Sequence, residues 1–182
     1  METQTASEYN EVIGLCKELF KKKTQDYGTS WRILRLPSLT DQIFIKAQRI
    51  RSIQEKGQQK VTDSIRDEFI GIINYCIIAL LQLELKEDPR KEISFEELEP
   101  LYDKWVNATR ELLANKNHDY GEAWRSMRVA SMTDIILMKL YRVKQIEDNR
   151  GKTLVSEGVI ANYQDMLNYA VFCMIKLNEN DH

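Results

Sequence analysis

The chain contains one pattern twice. Lys-x-x-Asp-Tyr-Gly-x-x-Trp-Arg begins at Lys23 and again at Lys116, 93 residues later. After one inserted residue the offset becomes 94, and an Asn-Tyr pair at Asn74 recurs at Asn168. Because a tandem duplication builds the same supersecondary unit twice, it predicts two similar units packed against each other.

Each repeat has the pattern of three helices. Apolar residues recur every three or four positions, and no stretch alternates as a half-buried strand does. Only 7 glycines and 3 prolines in 182 residues also favour long helices. The predicted helices are 7–22, 38–56 and 62–85 in the first repeat, and 100–116, one that begins at 131, and 156–177 in the second.

Several residues have the types expected at helix ends. Ser7 is a candidate N-cap, and Ser38 and Ser131 each begin a Ser-x-x-Asp match to a capping box, which makes Asp41 and Asp134 capping residues. A further match begins at Ser94, where a proline six residues later predicts only a brief helical turn.

The third helix of each repeat determines the predicted architecture. Its first copy, 69–81, is apolar nearly all round, so it must be surrounded by other helices. The fold class is therefore all-α, with repeats at 7–86 and 94–178 that form one compact unit. We expect the two third helices to pack at the centre about a pseudo-twofold axis, with the others outside.

Composition excludes some classes of function. A net charge of -2 with a pI near 5.8 makes a nucleic-acid partner unexpected. Three cysteines in apolar helical contexts are typical of reduced thiols in a cytoplasmic protein, and the polar first residues do not resemble a signal peptide. The longest apolar stretch, 69–85, is too short and too polar to span a membrane. The pattern leaves open whether the chain also forms a homodimer.

Acidic and amide residues recur along the third helices. They are Asp63, Asp67 and Asn74 in the first repeat, and Glu157, Asp165 and Asn168 in the second. Carboxylates on a central helix can hold Mg²⁺ or Mn²⁺ together with phosphate oxygens and water, and the two asparagines are candidates for substrate binding. An alternative is structural: acids in a first helical turn interact favourably with the helix dipole, and buried asparagines can fix the register of a helix pair.

Basic pairs recur on the second helices. Lys46 and Arg49 correspond to Lys139 and Arg142, each pair lying on one helix face. Ammonium and guanidinium groups suit phosphate oxygens, although such pairs often form only a solvated face. Their recurrence favours substrate binding.

The repeated turn supplies further candidates for substrate binding. They are Lys23, Asp26 and Tyr27 in the first repeat, and Lys116, Asp119 and Tyr120 in the second. An aromatic ring here could cover a nucleobase, with a lysine nearby for phosphate. The alternative, favoured for the tryptophans of the motif, is that the rings attach the turn to the core.

These motifs resemble a known family. Lys-x-x-Asp-Tyr-Gly, then a helix with Lys-x-x-Arg, then a helix ending in Asp-x-x-Asn-Tyr, resembles the nucleotide modification associated domain of phages and bacteria, in both repeats. More distantly the chain is similar to MazG-like all-α nucleotide pyrophosphohydrolases, whose carboxylates on central helices bind Mg²⁺ and activate water. The resemblance implies an acid followed by Asp at the fourth and eighth positions after it; the first repeat has Gly71 for the last, and the second has Ala161 for the middle one.

Three functions follow as hypotheses. The leading one is a Mg²⁺-dependent nucleotide pyrophosphohydrolase, with Asp67, Glu157 and Asp165 as catalytic residues and Asp63 as a further metal ligand. Its acids would form either one composite site at the pseudo-twofold axis or a metal site that has decayed. The alternatives are a nucleotide-binding module without catalysis and a structural helical protein.

Overall fold

The computed structural model contains six α-helices joined by short connections. It describes residues 3–57, 62–153 and 158–180, with the backbone alone at 62–64. The helices are α1 Gln4–Tyr27, α2 Leu36–Lys56, α3 Thr62–Glu84, α4 Phe95–Tyr120, α5 Val129–Asp148 and α6 Val159–Glu179, with 3-10 helices at Ser30–Ile33 and Ala123–Ser126. No strand occurs in these described ranges, so the predicted all-α class is confirmed.

Helices α3 and α6 form the centre of the bundle. They pack against each other, α2 covers α3, α5 covers α6, and α2 also contacts α5. Residues 69–73 and 76–81 of α3 are buried apart from Gly71, as the apolar surface of this helix predicts. One continuous hydrophobic cluster includes residues of both repeats.

Helices α2 and α5 begin before the predicted capping boxes. Their first residues are Leu36 and Val129, and neither helix has a side-chain cap at its start. The predicted capping roles of Ser38 and Ser131 are therefore wrong. Pro37 explains the earlier start of α2, since its fixed φ suits the first turn of a helix.

The aspartates of the predicted boxes join the two repeats instead of capping helices. Asp41 forms an ion pair with Lys144 at 3.4 Å, and Asp134 forms one with Arg51 at 3.6 Å. Residues 41 and 134 are equivalent in the duplication, and so are 51 and 144. These reciprocal contacts are what a pseudo-twofold relation between the repeats requires.

Helix α1 is longer at both ends than predicted. Thr3, not Ser7, is the N-cap, and its side chain accepts from the Ala6 amide at 3.1 Å. The helix continues to Tyr27 and ends at Gly28, whose φ of 64° favours glycine. Lys23 therefore lies within α1, one turn before its end.

Helix α4 includes the proline that was expected to interrupt it. Ser94 caps the helix as predicted, accepting from the Glu97 amide at 3.3 Å. Pro100 lies inside the first two turns, and the prediction of a separate brief turn is wrong. Buried Leu98 and Tyr102 on either side fix this segment against the core, which offsets the missing backbone hydrogen bond.

Among the described helices, none is long and apolar enough to cross a membrane.

Candidate functional site

A cavity of about 820 Å³ opens in the first repeat, between the last turn of α1, the first 3-10 helix, α2 and α3. This volume lies within the range of small-molecule sites, about 300–1,000 Å³. Its polar and aromatic lining residues are Phe20, Lys23, Thr24, Tyr27, Ser30, Trp31, Lys46, Asp67, Glu68, Asn74 and Tyr75. The cavity thus contains four of the residues predicted for substrate and one predicted for metal.

An acid and a basic pair meet at one wall of the cavity. Glu68 accepts from Arg49 at 2.7 Å and lies 3.6 Å from the Lys46 ammonium. Glu68 is largely buried, whereas the neighbouring Asp67 is exposed. Arg49 is therefore committed to Glu68, while Lys46 borders the cavity with a longer ionic contact.

Aromatic rings form much of the remaining wall. Tyr75 lies below the Lys46 ammonium, 5.7 Å from ring centroid to nitrogen, and Trp31 packs against Phe20 at 6.5 Å. Tyr27, the last residue of α1, is 71% exposed. The packed rings and the one exposed ring at the rim therefore offer surfaces on which a planar ligand can stack.

In the second repeat, a carboxylate stands at the position equivalent to Gly71 of the cavity. Asp165 accepts from Lys116 at 2.8 Å and from Lys139 at 2.8 Å, and its side chain is only 10% exposed. Burial alone would raise the pKa of Asp165, but the hydrogen bonds from the two lysines outweigh burial and hold that pKa below its ordinary value. Asp165 is therefore ionised at neutral pH and forms an ion pair with each of the two lysines.

The two buried asparagines have structural roles. Asn74 accepts from the Tyr102 hydroxyl at 2.9 Å and donates to the Cys16 carbonyl at 3.0 Å. Asn168 makes the matching pair of bonds, accepting from Tyr9 at 2.8 Å and donating to the Thr109 carbonyl at 3.2 Å. Each tyrosine comes from the other repeat. These bonds support the structural alternative for both asparagines, while Asn74 also lines the cavity and its predicted contact with substrate stays a prediction.

The Trp-Arg end of the repeated motif is also structural in the second repeat. The Trp124 ring stacks on Phe172 with centroids 4.2 Å apart, and Arg125 lies 4.5 Å above the same Trp124 ring. Arg125 also pairs with Glu8 and Glu179, both at 2.9 Å. This supports the expectation that the tryptophans attach the turns to the core, although Trp31 borders the cavity as well.

Other predicted residues lie away from the cavity. Asp26, Asp119, Tyr120 and Arg142 are exposed and do not line it. Glu157 and the side chain of Asp63 lie outside the described residues.

The structure does not place Asp67 and Asp165, the described acids of the two third helices that were predicted to bind metal, in the same cavity. Asp67 borders the first-repeat cavity, whereas Asp165 is enclosed by lysines of the second repeat and does not line it. Asp67 and Asp165 therefore do not meet in this cavity, and the composite site stays a prediction. Within the described part of the chain, no group of three histidine, cysteine or acidic side chains could hold a metal ion.

Sequence reasoning missed two contributors to the cavity. Tyr75 was noted only as part of the repeated Asn-Tyr pair, yet its ring faces the cavity below Lys46. Gly71 was noted only as a missing acid, yet it gives Lys46 the space to lie across α3. The special role of Gly71 could have been recognised from the sequence, because the third helices of the two repeats otherwise match and differ here as glycine against Asp165.

The fold and the cavity together define an all-helical protein of two repeats, with a cavity bordered by cations and aromatic rings in the first of them. The chain belongs to the nucleotide modification associated domain 1 family, whose sequence model matches residues 23–83 and 116–177, one match in each repeat. No curated protein and no solved structure matches the chain. The more distant similarity to MazG-like enzymes stays a prediction.

Proposed function

We propose that the chain binds a nucleotide in the first-repeat cavity. The observation that carries this proposal is the presence of Lys23, Lys46 and four aromatic rings in one cavity of about 820 Å³. Lysine ammonium groups bind phosphate oxygens, and tyrosine and tryptophan rings stack on bases regardless of base identity. The family description, which refers to nucleotide modification, supports the same class of ligand.

The charges around the cavity favour an anion. Glu68 is compensated by Arg49, which leaves the charge of Lys46 only partly neutralised at 3.6 Å. Lys23 is exposed near the C-terminal end of α1 and lines the same cavity. A phosphate group entering here would meet two ammonium groups without breaking the shorter Arg49 contact.

The test is isothermal titration calorimetry with ribonucleoside and deoxyribonucleoside triphosphates, with and without Mg²⁺. Lys23→Ala and Lys46→Ala are each expected to weaken binding about tenfold or more, the effect of losing one charged hydrogen bond. Lys22→Ala is the matched control, because Lys22 is an exposed neighbour on α1 that does not line the cavity. No binding of any nucleotide, or equal losses in all three variants, would overturn the proposal.

Hydrolysis is a second candidate, favoured by one observation. Asp67 is an exposed carboxylate at the cavity, and Mg²⁺ at nucleotide sites is often held by one or two carboxylates plus phosphate oxygens. The described residues fit such an ion poorly, since Glu68 is already engaged by Arg49 and Lys46 and Gly71 stands where a further acid would lie. We therefore place binding before catalysis.

Pyrophosphate release separates the two functions. A hydrolase would release pyrophosphate from a bound triphosphate with Mg²⁺ or Mn²⁺ and lose this activity in Asp67→Asn while retaining binding. A binding module would show saturable binding with no release over hours, and Asp67→Asn would not weaken that binding.

A further inference from the structure

The second repeat shows how this fold holds an anion between two lysines. The Asp165 carboxylate receives one hydrogen bond from Lys116 on α4 and one from Lys139 on α5, each at 2.8 Å. Asp165 and Lys139 are largely buried, with side chains 10% and 14% exposed, whereas the side chain of Lys116 is 55% exposed. It is a built anion site whose occupant is part of the chain.

The first repeat has both lysines but lacks the carboxylate. Lys23 and Lys46 are the equivalents of Lys116 and Lys139, and both line the cavity. The equivalent of Asp165 is Gly71, which lines the same cavity. The first repeat therefore has both lysines but no carboxylate at this position, and its Lys46 lies instead 3.6 Å from Glu68, which stands where the second repeat has Asn162.

A ligand can occupy the position above Gly71 only if the side chain of Lys46 moves aside. A Cβ atom on Gly71 would lie 2.9 Å from both Cδ and Cε of Lys46, so the lysine stem passes directly over the glycine. Lys46 reaches from there to Glu68 at 3.6 Å, longer than the 2.8 Å contact that Lys139 makes. Lys46 can therefore exchange a weak ionic contact for a closer one when an anion arrives.

We infer that a phosphate group of the ligand sits between Lys23 and Lys46 above Gly71, in the place that the Asp165 carboxylate occupies in the second repeat. This inference rests on the proposed nucleotide site and names its phosphate subsite. It also assigns the second repeat a closed site, because its own carboxylate occupies the two lysines that a phosphate would need.

The decisive variants exchange the two residues. Gly71→Asp places a carboxylate where the second repeat has one, and Gly71→Asn adds the same bulk without the charge. Calorimetry with inorganic pyrophosphate should give one site per wild-type chain and about tenfold or greater weakening in Gly71→Asp relative to Gly71→Asn. Asp165→Gly should add a second pyrophosphate site per chain.

The outcomes separate this inference from the proposed function. If the wild-type protein binds a nucleoside triphosphate but Gly71→Asp binds it as tightly as Gly71→Asn does, the subsite is wrong and the nucleotide site stands elsewhere in the cavity. If pyrophosphate binds and only Gly71→Asp loses it while no nucleotide binds, the subsite stands and the proposed function falls. If neither ligand binds the wild-type protein, both fall. Thermal unfolding of each variant without ligand confirms that the comparison concerns folded protein.

Discussion

Replacing Glu147 with glutamine should stabilise the protein. Glu147 lies on α5, where its Oε1 accepts from the Thr40 hydroxyl at 2.7 Å and its Oε2 is buried without a donor among the described residues. The equivalent residue in the first repeat is Gln54, which donates to Thr133 at 3.1 Å. The first repeat therefore makes the equivalent contact with a neutral side chain, and Glu147→Gln would give the second repeat the same residue.

The expected gain is about 1 kcal/mol in the free energy of unfolding at pH 7, because a neutral amide removes the cost of keeping a carboxylate charge in a partly buried position. In a chain of this size it corresponds to a rise of about 2–4 °C in Tm. Burial raises the pKa of Glu147 above its ordinary 4.5, and the Thr40 hydrogen bond only partly opposes this. The protonated form is thus favoured in the folded state. The penalty is absent below pH 4.5 and grows as pH rises through the folded-state pKa.

Urea unfolding at pH 4 and pH 7 tests this reasoning. The advantage of Glu147→Gln should be present at pH 7 and shrink toward zero at pH 4. The reverse variant, Gln54→Glu, should lose stability at pH 7 and regain part of it at pH 4. A variant Glu147→Gln that is less stable than wild type at pH 7, or whose advantage does not change with pH, would refute the argument.

Two further predictions concern buried groups of the core. Tyr9→Phe and Tyr102→Phe each leave a buried asparagine oxygen without its donor and should each cost about 1–3 kcal/mol in urea unfolding; a loss in only one of them would contradict equivalent roles in the two repeats. Burial raises the pKa of the Cys16 thiol to about 12, and the other two cysteines are buried as well, so the folded protein should not react with a thiol reagent at pH 8 until it is denatured. Rapid modification of the native protein would show that the core opens.

Much of the fold could be predicted because its main signals are local. The duplication and the apolar period of residues 69–81 predict three helices per repeat and a buried central pair. Helix starts were harder, since Ser38 and Ser131 match a capping pattern that an earlier start of each helix overrides. Pro100 was misjudged because the packing of α4, not its propensity, keeps the helix continuous.

The candidate site could be predicted only in part. Lys23 and Lys46 were found because equivalent residues recur in both repeats. The roles of Asn74 and Asp165 depended on which side chains reach them across the bundle, and a sequence pattern carries no such distances. Asn74 meets a tyrosine of the other repeat, and Asp165 meets lysines of its own.

The crossed bonds of Tyr9 with Asn168 and of Tyr102 with Asn74 make the halves mutually dependent. A fragment carrying a single repeat would keep a tyrosine and an asparagine whose partners are missing, but a second copy of that fragment would supply both. The present chain is thus organised like a dimer whose subunits have been fused. In a fused chain the two halves can differ in sequence, and here the second has Asp165 where the first has Gly71.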